Sequence, residues 1–168
     1  MNAEDLKWVR IFDPIHIPRE YVEQIKDRRF SVDKFYQYQK SICLESIDGK
    51  LVINPLNLLF VLVDEQNHSK GFCWMVVDPL GDSLVINSFS LDNEYWGNGT
   101  AVKILENKAR EIKEGANLSK VYWITRCPRH SEKYGWKRSK HTLMEFNDGR
   151  DNDGQPCEAS GQSGVNDS

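Results

Sequence analysis

Two glycines, Gly97 and Gly99, stand between an apolar run (Leu84, Val85 and Ile86, then Phe89 and Leu91) and a long amphipathic stretch that opens near Thr100. The order strand, glycine turn, helix builds an anion site. Glycine lets the backbone come close to a ligand, and the first N–H groups of a helix point at it without intrahelical partners. The helix dipole adds partial positive charge there, worth about 0.3–1 kcal/mol for a nearby anion. A diphosphate is a natural guest. The bare alternative is a strand–helix turn that holds nothing. A second chemical feature is a basic run at 126–141, where Arg126, Arg129, Lys133, Lys137, Arg138 and Lys140 face Glu132 alone, with Tyr134 and Trp136 between them. Such a surface meets phosphate, whether of a nucleic acid or of a small molecule, or is simply a solvated face.

The elements that must position these residues follow from hydrophobic period and from turn chemistry. A first strand is expected over 6–13, with Leu6, Trp8 and Ile11 inward, and Pro14 and Pro18 break it. With Pro18 at its first position, a helix over 18–29 carries Tyr21, Val22 and Ile25 on one face. Ser31 is the expected N-cap of a second helix through Phe35, Tyr38 and Ile42 to about Cys43, and Asp48-Gly49 marks a turn. Strands at 56–64, 71–78 and 83–91, joined by short polar turns, form an antiparallel meander. A helix then runs over 100–114, with its apolar stripe at Ala101 or Val102, Leu105, Ala109 and Ile112 and its stop at Gly115. A strand at 119–126 follows, parallel to the strand before the turn through a right-handed crossover. Residues 128–134 make at most a short helix, and 136–146 hold a last strand.

Composition bounds the class. The chain has 168 residues, 39% hydrophobic and 28% charged, enough for one domain with a real core. No apolar run approaches the ~18 residues of a spanning helix, so no membrane partner is expected. The first residues are polar and acidic and do not read as a secretory signal. Cys43, Cys73, Cys127 and Cys157 lie far apart with no CxxC pair and no histidine at zinc spacing. No metal is expected, and the thiols suit a reducing, cytoplasmic setting. Residues 147–168 contain four glycines, no aromatic and no apolar cluster. They are expected to be a disordered acidic tail. Arg150 against Asp148, Asp151, Asp153, Glu158 and Asp167 gives that tail −4, and a whole-chain charge of −3 leaves 1–146 at +1.

This order of elements resembles the GNAT superfamily of acetyl-CoA-dependent N-acyltransferases, best over 56–146. The superfamily's signature is Arg/Gln-x-x-Gly-x-Gly/Ala. Its counterpart is Trp96-Gly97-Asn98-Gly99-Thr100-Ala101, preceded by Tyr95, in which Gly99 and Ala101 match and Trp96 replaces the usual Arg or Gln. Near the C-terminus, Glu132-Lys133-Tyr134-Gly135-Trp136-Lys137 resembles the superfamily's Tyr-Glu-Lys-Leu-Gly-Phe segment. The glycine–aromatic pair is kept, Ser131 stands at the position of the frequent catalytic Tyr, and Tyr134 replaces a Leu.

The resemblance implies an α/β (α+β) fold over 1–146. Its central sheet would be mixed and mostly antiparallel, with helices on both faces and one parallel strand pair that splays apart. It implies acetyl-CoA as co-substrate. The pantetheine arm would pair with backbone at Phe89, Ser90 and Leu91. The pyrophosphate would rest on N–H groups of Gly97, Asn98, Gly99, Thr100 and Ala101, with Trp96 marking either a lost phosphate contact or an aromatic packed at the mouth. It implies direct attack of an amine on the thioester. Tyr134 and Ser131 are candidate acids for the departing thiolate, and Glu94, with Asp92 beside it, is the candidate base through water. The acceptor, an amine of a small molecule or protein, is not named by the sequence, nor is the oligomeric state. A GNAT-fold binding module without turnover is the rival reading, favoured by Trp96 and Ser131. A nucleic-acid-modifying member is a third, motivated by 126–141.

Overall fold

The computed structural model describes residues 5–25, 30–125 and 128–139. The chain divides into two compact units, Met1–Thr125 and Arg126–Ser168. The first unit opens with β1 (Lys7–Ile11), a single 3-10 turn Pro14–His16 and the short helix α1 (Arg19–Glu23). Pro18 is the extended residue that caps α1, one place before the expected position, and α1 closes at Glu23. The rest of the expected 18–29 helix falls partly on 26–29, outside the described residues. Helix α2 (Val32–Cys43) has the expected cap: Ser31 Oγ accepts from Lys34 N at 3.3 Å.

Asp48-Gly49 does more than turn the chain. It closes a hairpin of β2 (Leu44–Ile47) and β3 (Lys50–Ile53), a separate two-stranded sheet where the sequence predicts only a turn. Both turn residues have positive φ, 50° and 75°, as a type I′ hairpin turn demands. β4 (Asn57–Val63), β5 (Ser69–Asp78) and β6 (Ser83–Leu91) form the expected meander. A 3-10 turn, Asn93–Tyr95, leads into α3 (Thr100–Gly115), and β7 (Lys120–Trp123) returns to lie parallel to β6. The main sheet has the order β1-β4-β5-β6-β7, and only the β6–β7 pair is parallel. Gly115 does not stop α3. The left-handed residue is Asn117, at φ 53°, and the Leu118 N–H reaches back to the Lys113 carbonyl at 2.9 Å, the Schellman closure.

The two faces of the sheet are covered by different helices. Leu59, Val61, Val63 and Phe72 pack with Tyr21, Val22 and Phe35 of α1 and α2. Leu62 and Leu91 pack with Tyr95, Ala101 and Ile104 at the start of α3. β4 therefore has no face to spare, and all seven of its residues are buried. That burial explains its unbroken apolar sequence. Among the described residues no helix is long and apolar enough to cross a membrane.

Of the second unit, residues 128–139 are described. Helix α4 (Pro128–Glu132) is short, as expected, and 136–139 belong to no regular element. The remainder of the expected last strand, the acidic tail, and Arg126, Lys140 and His141 of the basic run lie outside the described residues.

Candidate functional site

β6 changes character half way along. From Ser83 to Ile86 it is paired on both sides: with β5, and with β7 through Lys120, Val121, Tyr122 and Trp123. The last bond on the β7 side is from Ile124 N to the Ile86 carbonyl, 3.0 Å. Beyond it, residues 87–91 pair with β5 alone, and among the described residues no strand covers their other edge. The register also slips here. Met75 faces Ile86 and Trp74 faces Ser88, so Asn87 is an extra residue, a β-bulge. Bulges bend a strand and end its pairing, and they gather beside active sites. The parallel pair thus splays where the resemblance places the pantetheine arm.

The far half of β6 is held close to β5 by a glycine. A Cβ on Gly71 would meet the Ser90 carbonyl oxygen at 2.4 Å and Leu91 Cδ2 at 2.3 Å, so no other residue fits. In the sequence Gly71 stands at the start of the expected 71–78 strand. Its signal is faint, because a lone glycine inside a strand fits a bulge or a close approach equally well.

The turn after β6 is shaped by its two glycines. Gly97 (φ 96°) and Gly99 (φ 83°, ψ −3°) both take left-handed conformations that suit glycine. Around the position of a Gly97 Cβ nothing lies within 4 Å, so the loop is open there. Gly99 is the N-cap of α3 and offers no side chain to the helix end. The Thr100 N–H is already taken by Asn98 Oδ1 at 3.0 Å, while Lys103 N closes the first helical bond on the Gly99 carbonyl at 3.1 Å. The N–H groups of Ala101 and Val102 remain as first-turn donors, for which helix geometry supplies no acceptor.

Trp96 sits beside this turn as a packed aromatic. Its Nε1 donates to the Leu91 carbonyl at 3.0 Å. Its ring centroid lies 5.3 Å from Phe89, and Phe89 meets Trp123 edge-on at 5.3 Å. The three rings bridge the mouth of the splay on the α3 face. The Leu91 carbonyl, one of the expected backbone partners of the arm, is thus engaged by Trp96.

Polar groups gather on the other side of the β6 end. The Tyr21 hydroxyl lies 2.7 Å from both the Ser69 carbonyl and Asp92 Oδ1, which ties α1 to the sheet. Burial first, and then the hydrogen bond to Asp92, raise the Tyr21 pKa. Ser90 Oγ donates to Gln24 Oε1 at 3.1 Å. Lys70 Nζ stands near Asp64, Asp92 and Glu94, at 3.9, 3.6 and 3.8 Å. Burial pushes the Asp64 carboxyl up, but N–H groups of His68 and Gln66 and the charges of His68 and Lys70 outweigh it and hold the group below its ordinary value. Tyr95 is buried, and burial together with the nearby Glu94 carboxylate pushes its hydroxyl up to about 12.

In the second unit, Ser131 is buried and its hydroxyl has no hydrogen-bond partner. The N–H of Tyr134 donates to the Ser131 carbonyl at 3.0 Å, and Gly135 turns the chain at φ 89°. Arg129, Lys133 and Lys137 are exposed, and Arg138 pairs with Glu132 at 2.6 Å. Among the described residues no group of three His, Cys, Asp or Glu is placed to hold a metal ion.

This is the GNAT acetyltransferase fold: a mostly antiparallel sheet, one parallel pair parting at a bulge, and a glycine turn leading into the helix behind it. Solved structures of acetyltransferases share it. A possible acetyltransferase from Clostridium difficile 630 superposes with a TM-score of 0.61 at 12% identity, over 84% of this chain and 96% of that one. Mutant forms of the spermidine/spermine N-acetyltransferase SpeG from Vibrio cholerae give 0.60 at 18% identity, over 86% of each chain. The aminoglycoside N-acetyltransferase AAC(6')-Iy, in complex with CoA, gives 0.59 at 10% identity, over 84% of this chain and 93% of that one. No protein-family model matches the sequence. No curated protein matches it either.

Proposed function

We propose that this chain is an N-acyltransferase that moves an acetyl group from acetyl-CoA to an amine. The observation that carries the reading is the one-sided edge of β6 beyond Ile86, followed directly by the glycine cradle at the start of α3. A peptide-like arm gains backbone hydrogen bonds at such an edge, and a diphosphate gains those of Ala101 and Val102. The residues present suit the co-substrate, since Gly97 leaves open the space that a side chain would fill. Acetyl-CoA supplies the activated acyl carbon.

The residues then have these tasks. Ser88 and Ser90 lie on the α1/α2 face of the opened strand, opposite Phe89 and Leu91, and form a small polar floor for the incoming amine. The amine's lone pair attacks the thioester carbonyl carbon, the carbon–sulfur bond breaks, and the sulfur leaves with its electron pair. Glu94, half-exposed at the end of β6, takes the amine's proton through water. Tyr134 returns a proton to the thiolate, with Ser131 the alternative donor.

One observation supports a second reading, a binding module without turnover. Trp96 Nε1 occupies the Leu91 carbonyl and its ring leans on Phe89. Calorimetric titration with acetyl-CoA, paired with a melting curve, separates the two. The acyltransferase reading expects micromolar binding and about 2.7 kcal/mol of added stability at a hundredfold excess over Kd. Absence of binding at millimolar acetyl-CoA would sink it and leave the module.

A further inference from the structure

The hairpin of β2 and β3 is firmly rooted and left uncovered. Asn54 clamps its base: the Asn54 N–H donates to the Cys43 carbonyl and Nδ2 to the Ile42 carbonyl, both at 3.0 Å. Among the described residues, β2 and β3 pair only with each other. Ile47, Leu51, Val52 and Ile53 are all exposed. A lone two-stranded hairpin is marginal in water, and three or more strands with an apolar face are needed for stability of their own. No proline and no bulge guards β3, and Lys50 lies at its turn end. Natural sheets normally blunt an open edge with such devices.

The backbone pattern shows which groups the edge offers. Opposed residues of an antiparallel pair alternate between those that exchange backbone bonds and those that do not. Asn54 bonds back to Cys43, one step beyond the pair Leu44 and Ile53. Glu45 with Val52, and Ile47 with Lys50, are therefore the bonded pairs. Leu44 with Ile53, and Ser46 with Leu51, turn their N–H and carbonyl groups outward. The free edge of β3 thus belongs to Leu51 and Ile53, whose side chains share one face with Leu44.

We propose that this β3 edge joins two copies of the chain, antiparallel about a two-fold axis at Val52. Leu51 then meets the partner's Ile53, and Ile53 the partner's Leu51, each pair exchanging both of its backbone bonds. Two two-stranded sheets become one of four strands, with Leu44, Leu51 and Ile53 of both copies along one face. That supplies the strands and the apolar face that a single hairpin lacks. Charge selects this edge over that of β2. The equivalent pairing of β2, through its outward residues Leu44 and Ser46, sets Glu45 directly against its own copy, and like charges so opposed are destabilising. Across β3, Val52 meets Val52 and Lys50 meets Asn54. The inference stands apart from the acyltransferase reading, for none of these residues lies in the glycine turn or on the opened half of β6.

Sedimentation velocity of the full chain over a concentration series tests it, and a monomer–dimer equilibrium is expected. Val52→Glu and Val52→Lys each oppose like charges across the axis and should raise the dimer Kd about tenfold or more. An equimolar mixture of the two should restore the dimer. Val52→Cys tests the register. Residues opposed without backbone bonds have Cα atoms about 4.5 Å apart, within the ~4.4–6.8 Å that a disulfide spans. Mild oxidation should therefore join two copies through Val52→Cys and not through Leu51→Cys, which faces the partner's Ile53. Far-UV circular dichroism checks the fold of each variant. Where a charged variant does not fold, cross-linking decides alone. A chain that stays monomeric at high micromolar concentration overturns the inference and leaves the edge to a strand of another protein. A dimer that the charged variants leave intact, or that Val52→Cys does not join, overturns it as well and puts the contact elsewhere.

Discussion

The two halves of β6 are nine residues of one strand under opposite constraints. The first half, Ser83 to Ile86, is a core strand, with partners on both edges and with Leu84 and Ile86 wholly buried. Among the described residues the second half pairs with β5 alone, carries a bulge, and ends in a turn with two left-handed glycines. A sheet can afford one such opening where the surrounding strands are over-determined. Here β4 is buried on both faces and β1 covers its far edge. Two-sided pairing is concentrated below the bulge, and the proposed binding edge lies above it.

Substitutions should divide along the same line. The largest loss of stability is expected from Ile86→Ala in the paired half, about 2–5 kcal/mol. A denaturant titration measures it, and the folded fraction should still bind acetyl-CoA. Gly71→Ala strikes the other half. With backbone at 2.4 Å, the added methyl must push the end of β6 aside. The cost is about 1–3 kcal/mol, and here acetyl-CoA binding should fall as well; a calorimetric Kd equal to the parent's would break the division. Gly99→Glu places a carboxylate at the cradle and a side chain at φ 83°. Binding should vanish while stability drops by only about 1–2 kcal/mol, the left-handed penalty.

The smallest expected effect is a change in the pH dependence at the paired end. Asp82 precedes β6 and accepts from Ser119 N at 3.1 Å. Hydrogen bonds from Ser119, its side chain first and its backbone second, hold the Asp82 carboxyl below the ordinary range. A folded value below the unfolded one stabilises the fold at pH above the unfolded value, near 3.9, and that support fades as pH falls toward the lower folded value. Asp82→Asn should therefore flatten the acid limb of a stability–pH curve and leave acetyl-CoA binding at neutral pH untouched. An acid limb as steep as the parent's would place the support elsewhere.

The elements around the site were legible because their signals are local. Ser31 as a cap, the buried run of β4 and the glycine turn before α3 each declare themselves within a few residues. The hairpin at β2 and β3 was not legible. Its residues are short, mixed in polarity and exposed, with Leu51 74% and Ile47 52% open to solvent, so no buried face imposes a pattern. Gly115 misled for a similar reason. Either glycine or asparagine can end a helix, and only the hydrogen bonds to Lys113 and Glu114 decide for Asn117. In the site itself, Gly97 and Gly99 were readable as conformational needs. Lys70, Tyr21 and Gln24 were not, because they reach the end of β6 across the fold, from residues far away in sequence.

The extra residue at Asn87 has one more effect. Before it, the large side chains on the α3 face fall at even positions, Leu84 and Ile86; after it they fall at odd ones, Phe89 and Leu91. Asn87 therefore acts as a phase shifter for the strand. Removing that single residue would restore strict alternation and turn the far half inside out, sending Phe89 and Leu91 toward α1 and α2 and Ser88 and Ser90 toward α3. The two-sidedness of the opening, aromatic on one face and small and polar on the other, depends on the parity of one residue.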